Sequence, residues 1–130
     1  MHSKRWSLVF LLLSACSTDA LYSYCSSSTQ CGTREYRCGR DCTYEVPLTC
    51  IEVQTDSTHG QMCNLPCVSD ATCTAGGVTG KCLQFTGDSQ SWCYQLCETD
   101  DDCFPSSACR EVALDGFAGR VCLPTRLPGG

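Results

Sequence analysis

Hydrophobic positions fall into two regimes along the chain. Near the N-terminus an apolar run of about eight residues, Trp6-Ser7-Leu8-Val9-Phe10-Leu11-Leu12-Leu13, follows a short positive region of His2, Lys4 and Arg5. A run this short is far below the roughly 20 residues a helix needs to cross a bilayer, and its flanks are those of a secretory signal peptide rather than of a structural helix. Beyond residue 20 no such run recurs. Apolar and β-branched residues cluster beside cysteines, and turn residues sit midway between the clusters. Thr49-Cys50-Ile51-Glu52-Val53 and Gln61-Met62-Cys63 flank Asp56-Ser57-Thr58-His59-Gly60. Lys81-Cys82-Leu83-Gln84-Phe85 and Ser91-Trp92-Cys93-Tyr94 flank Thr86-Gly87-Asp88. Ala108-Cys109-Arg110-Glu111-Val112 and Arg120-Val121-Cys122-Leu123 flank Asp115-Gly116. Each stretch predicts two short strands around a turn.

The cysteines carry the same repeat. Past Cys16 they stand at Cys25, Cys31, Cys38, Cys42, Cys50, Cys63, Cys67, Cys73, Cys82, Cys93, Cys97, Cys103, Cys109 and Cys122. A Cys-x5-Cys spacing occurs at Cys25/Cys31, Cys67/Cys73 and Cys97/Cys103, and a Cys-x3-Cys link directly precedes the second and third of these. The chain therefore parses into units of four cysteines, a to d. They are Cys25, Cys31, Cys50, Cys63, with Cys38 and Cys42 inserted; Cys67, Cys73, Cys82, Cys93; and Cys97, Cys103, Cys109, Cys122. Each unit is a cysteine-bracketed loop followed by a cysteine-bracketed hairpin. Spacing alone leaves the connectivity open, since fourteen cysteines allow on the order of 10⁵ pairings.

Two families resemble this pattern. The order loop then hairpin, with b to c short and c to d longer, resembles the front half of an epidermal-growth-factor module, although each unit lacks that module's fifth and sixth cysteines. The resemblance implies a–c and b–d bridges: Cys25–Cys50, Cys31–Cys63, Cys67–Cys82, Cys73–Cys93, Cys97–Cys109 and Cys103–Cys122, with a local Cys38–Cys42. The acidic loops Cys67-Val-Ser-Asp70-Ala-Thr-Cys73 and Cys97-Glu-Thr-Asp-Asp101-Asp102-Cys103 look like the start of Dickkopf-type cysteine-rich regions. That likeness implies an extracellular protein-binding module without chemistry of its own.

The end of the apolar run, Leu13-Ser14-Ala15-Cys16, resembles the lipobox of bacterial lipoproteins. It implies cleavage after Ala15 and a membrane anchor through acyl groups on Cys16, several of which hold a protein stably where one does not. Ser17 after the cysteine is similar to an outer-membrane sorting signal. A plain secretory signal cut after Ala15, Ser17 or Ala20 is the alternative. Either way the destination is oxidising, and the fourteen remaining cysteines suffice for seven bridges.

Composition narrows the function. Fifteen of 130 residues are cysteine, and the formal net charge is −5. It becomes more negative once Lys4 and Arg5 leave, which excludes the electrostatic footprint of a nucleic-acid binder. Past residue 20 there is a single Ile, Ile51, so cross-links must replace much of an apolar core. There is no Cys-x2-Cys, against both a zinc knuckle and a redox dithiol. No metal or cofactor is expected. His59 is the sole histidine past the leader and falls in a predicted turn, so no nucleophile–base pair and no catalytic residue is assigned. Asp100-Asp101-Asp102 reads as a solvated acidic loop, since calcium loops spread their oxygens over alternating positions. Phe117, in the hairpin tip Asp115-Gly116-Phe117-Ala118-Gly119, has no core to join and is the candidate contact residue.

The expected organisation is a signal peptide over 1–15, a lipidated N-terminus and tether over 16–24, cysteine-rich units over 25–63, 67–93 and 97–122, and a flexible tail over 123–130. The three-residue links between units suggest a stiff rod. The expected fold class is small and disulfide-rich: three consecutive cysteine-stapled loop-plus-β-hairpin units with little helix. The expected function is that of a membrane-anchored extracytoplasmic lipoprotein with a structural or protein-binding role toward a protein or envelope partner. The alternative is a secreted disulfide-rich inhibitor or toxin-like effector.

Overall fold

A computed structural model describes residues 20–74 and 77–129. The leader and Cys16 lie outside the described residues. The strands are β1 (Thr33–Arg37), β2 (Thr43–Pro47), β3 (Thr49–Gln54), β4 (His59–Asn64), β5 (Gly80–Leu83), β6 (Trp92–Gln95), β7 (Ser107–Leu114) and β8 (Phe117–Pro124). They pair into four separate antiparallel hairpins: β1–β2, β3–β4, β5–β6 and β7–β8. Among the described residues, helix is confined to single turns, α1 (Asp70–Cys73) and two 3-10 turns at Ser28–Gln30 and Asp100–Asp102. The molecule is thus a small disulfide-rich fold of hairpin units.

One design recurs three times. Each Cys-x5-Cys loop forms one helical turn, entered through an extended Ser or Thr two residues after cysteine a: Ser27, Ser69 and Thr99. Each hairpin places cysteines c and d directly opposite one another, at Cys50↔Cys63, Cys82↔Cys93 and Cys109↔Cys122. Opposed residues in an antiparallel pair share a face, so both sulfurs of the hairpin grip the same loop. The bridges are Cys25–Cys50, Cys67–Cys82 and Cys97–Cys109, each with a Cα separation of 5.9 Å, and Cys31–Cys63, Cys73–Cys93 and Cys103–Cys122. The order is a–c and b–d in every unit.

A polar joint repeats with the sulfurs. The residue three after cysteine a accepts a hydrogen bond from the backbone N–H of cysteine c in every unit. Ser28 Oγ accepts from Cys50 at 3.0 Å, Asp70 Oδ1 from Cys82 at 2.9 Å and Asp100 Oδ1 from Cys109 at 2.8 Å. The acidic loops therefore point carboxylates at their own hairpins. Asp102 also closes its turn, accepting from the N–H groups of Glu98 and Thr99 at 2.8 and 3.2 Å.

The inserted cysteines build something the spacing does not predict, a fourth hairpin. Cys38–Cys42 staples the tip of β1–β2, and Tyr36 and Tyr44 stack across it with ring centroids 5.4 Å apart. Most of this hairpin is exposed.

The units form neither a rod nor independent beads. Residues that the sequence places in the tether, links and tail enter one shared core: Leu21, Tyr22, Leu65 and Leu123 are all buried, together with half-cystines from the first two units. Unit 1 meets unit 2 through Tyr22, whose hydroxyl donates to the carbonyl of Cys73 at 2.6 Å, and through Asn64. Asn64 is fully buried; its Nδ2 donates to Cys93 O at 2.7 Å and its Oδ1 accepts from Cys93 N at 2.9 Å and Leu65 N at 2.7 Å. Its amide does for Cys93 what the backbone of Tyr22 and Ser23 does for Cys63 in unit 1. Unit 2 meets unit 3 through the Leu96↔Val121 bridge and through Gln95, which donates to Asp102 O at 2.6 Å. Unit 3 returns to unit 1: Gln61 N–H donates to Arg126 O at 2.9 Å, and the Arg126 guanidinium lies 4.1 Å from the Tyr24 ring centroid. The three units close on one another.

Two boundaries are corrected accordingly. Residues 21–24 are not tether, because the Leu21 and Tyr22 side chains need the burial that the small units cannot supply alone. The stretch from Leu123 to Arg126 is not frayed tail, because β8 runs to Pro124 and Thr125 and Arg126 are hydrogen-bonded into neighbouring loops and strands.

Candidate binding cleft

The closed arrangement creates a surface no single unit has. β5 and β6 are 4 residues each, against 6 for β3 and β4 and 8 for β7 and β8. The middle hairpin ends short of its neighbours, and a cleft of about 720 Å³ opens over it. Its floor is aromatic: Phe85 stacks on Tyr94 with centroids 4.8 Å apart, Trp92 lies alongside, and Leu123 fills the base. One wall is Ile51 and Val53 from β3, the other Val112 and Leu114 from β7. Glu52, Asp56, Asp88 and Glu111 also line it, with no Lys or Arg among the lining residues. Burial and the nearby Asp88 carboxylate both push the Tyr94 phenol well above its ordinary titration range. The floor is thus a low-dielectric surface beside negative charge. Outside the lining, His59 Nε2 pairs with Glu52 Oε2, and Arg120 stands opposite Glu111 in the β7–β8 register.

The arrangement can hold a ligand. Each wall is rooted in two cystines, so its geometry is fixed before anything binds. No family model, characterised protein or solved structure matches the chain.

Phe117 does have a core to join. It is half-buried, its ring folds back over Gly119, and Lys81 Nζ sits 5.8 Å from its centroid. It lines a second concavity of about 810 Å³ between the unit 2 hairpin and the β7–β8 tip, with Asp70, Lys81 and Asp115. The ring packs against the core between units 2 and 3 and at the same time borders this concavity. His59 lies at the start of β4 opposite Gln54 rather than in the turn. In each unit the sulfurs of a, b and d come within 4.8 Å of one another, because the two bridges lie side by side; as cystines they offer no thiolate.

The cleft itself was missed in the sequence reading. The available clue was the apolar alternation running on from each cysteine toward the hairpin tip, at Ile51 and Val53 and at Val112 and Leu114. Residues that serve only a hairpin's own staple have no need to extend it in that way.

Proposed function

We propose that this chain is a lipid-anchored extracytoplasmic binding protein whose ligand-holding surface is the cleft between its three hairpins. The cleft carries the binding part of this reading: a concave, aromatic-floored site prefixed by cross-links loses little entropy on binding. Leu13-Ser14-Ala15-Cys16 supports the anchor, and fourteen further cysteines joined in seven pairs support an oxidising, extracytoplasmic destination. Three residues separate Cys16 from Ala20, four Cα–Cα steps that span at most about 14 Å, so the acyl chains would hold the body close to an outer-membrane surface. Labelled palmitate tests the anchor. Incorporation by the full chain in a bacterial host, lost in Cys16→Ser while the folded body is still exported, is the expected result. Export without label would overturn the anchor and leave a secreted binding protein.

A further inference from the structure

The geometry points to an occupant for this cleft: an extended polypeptide segment of a partner protein, carrying Lys or Arg alternating with aliphatic residues. The inference rests on the binding reading above and adds the chemistry of the ligand. Three observations support it.

The first is charge. Glu52, Asp56, Asp88 and Glu111 line the cleft and no Lys or Arg does, in a chain of net charge −5. Among the described residues, neither Asp56 nor Asp88 takes part in an ion pair. The second is the layering of carboxylates with an apolar, aromatic floor. Lys and Arg side chains are themselves layered, an aliphatic stem below a charged head. Their stems can lie on Trp92 and Phe85 while the heads reach the carboxylates, with cation–π attraction adding to the contact. The third is the backbone. Among the described residues, the walls β3 and β7 each pair with one strand only, and past the Cys50 and Cys109 amides, which donate to Ser28 and Asp100, the consecutive runs 51–54 and 111–114 border the cleft. An extended segment can hydrogen-bond along such a run and place alternate side chains down and up.

Trp92 makes this measurable. With Trp6→Phe it is the sole indole of the chain, and it sits in the cleft. The oxidised protein carrying Trp6→Phe is titrated with three eight-residue probes that alternate Leu with Lys, with Ser or with Glu. The Lys–Leu peptide is expected to shift Trp92 emission to the blue and to saturate below about 1 mM. Its affinity is expected to fall about tenfold between low and high salt, and about tenfold in the triple variant Asp56→Asn/Asp88→Asn/Glu111→Gln. The salt series stands alone if that variant folds poorly. Equal affinity for the Glu–Leu or Ser–Leu peptide would overturn the cationic partner while leaving the cleft as a binding site. No emission change with any of the three up to about 1 mM would overturn both.

Discussion

A single hydrogen bond, repeated three times, gives Asp70 and Asp100 their place in the Cys-x5-Cys loops. Asp70 and Asp100 accept from the amide of the cysteine that their own loop is stapled to, and Ser28 does the same in unit 1. Ser28→Asp is therefore expected to be tolerated, whereas Ser28→Ala should cost about 1 kcal/mol, read by denaturant unfolding under oxidising conditions. The Cys82 amide first, then the Lys81 ammonium, hold the Asp70 carboxyl below its usual range, and the Glu98 and Thr99 amides do so for Asp102. A carboxyl lowered in the folded state contributes stability above its unfolded pKa of about 3.9, and that contribution is lost as pH falls through the lowered folded value. The denaturation midpoint should thus drop as pH falls below about 4, and Asp70→Asn should flatten that limb. An unchanged acid limb in Asp70→Asn would remove Asp70 from it. Asn64 is the most exacting residue of all. Asn64→Ala leaves buried backbone groups of Cys93 and Leu65 without their partner, an expected loss of about 3 kcal/mol in the same unfolding assay.

At the scale of elements, the hairpins were legible because the strand-forming residues and the cysteines repeat together. Cys109 and Cys122 are separated by the same twelve residues as Cys50 and Cys63, and both pairs meet in register. The β1–β2 hairpin was not legible, because Thr33–Arg37 and Thr43–Pro47 bury almost nothing and so carry no hydrophobic period to read. Its order comes from the Cys38–Cys42 staple and the Tyr36–Tyr44 stack. Closing so short a loop contributes about 2 kcal/mol in the chain-entropy model. The double variant Cys38→Ser/Cys42→Ser should accordingly speed hydrogen exchange in residues 33–47 and leave the other three hairpins protected. Loss of protection throughout would mean that the finger supports the body. The packing of Phe117 was not legible for a related reason: a hairpin tip has no core within its own unit, and the neighbouring unit supplies Lys81 and the surface that the ring packs against.

The whole molecule is where sequence reading failed most, and the reason is physical. Leu21, Leu65, Leu96 and Leu123 stand outside the cysteine brackets, where a bead-on-string reading has no use for them. They pack the seams between units, and only Leu96 stays partly exposed. The seam between units 1 and 3 passes over Gly60, where an added Cβ would stand 2.5 Å from the carbonyl carbon of Pro124 and 2.7 Å from the Arg126 nitrogen. These are backbone atoms, so Gly60→Ala must part the seam. A loss of about 1–3 kcal/mol with a red shift of Trp92 emission is expected, since that indole lies in the cleft that the closure forms. An unshifted spectrum would separate cleft from closure. Every feature above the residue scale presupposes that each Cys-x5-Cys loop is stapled to its own hairpin by a crossed pair of bridges. Mass-spectrometric mapping of the unreduced protein tests this directly. No free thiol is expected outside Cys16, and the expected pairs are Cys25–Cys50, Cys31–Cys63, Cys38–Cys42, Cys67–Cys82, Cys73–Cys93, Cys97–Cys109 and Cys103–Cys122. A bridge within a loop, such as Cys67–Cys73, or between units, such as Cys93–Cys97, would contradict this pairing.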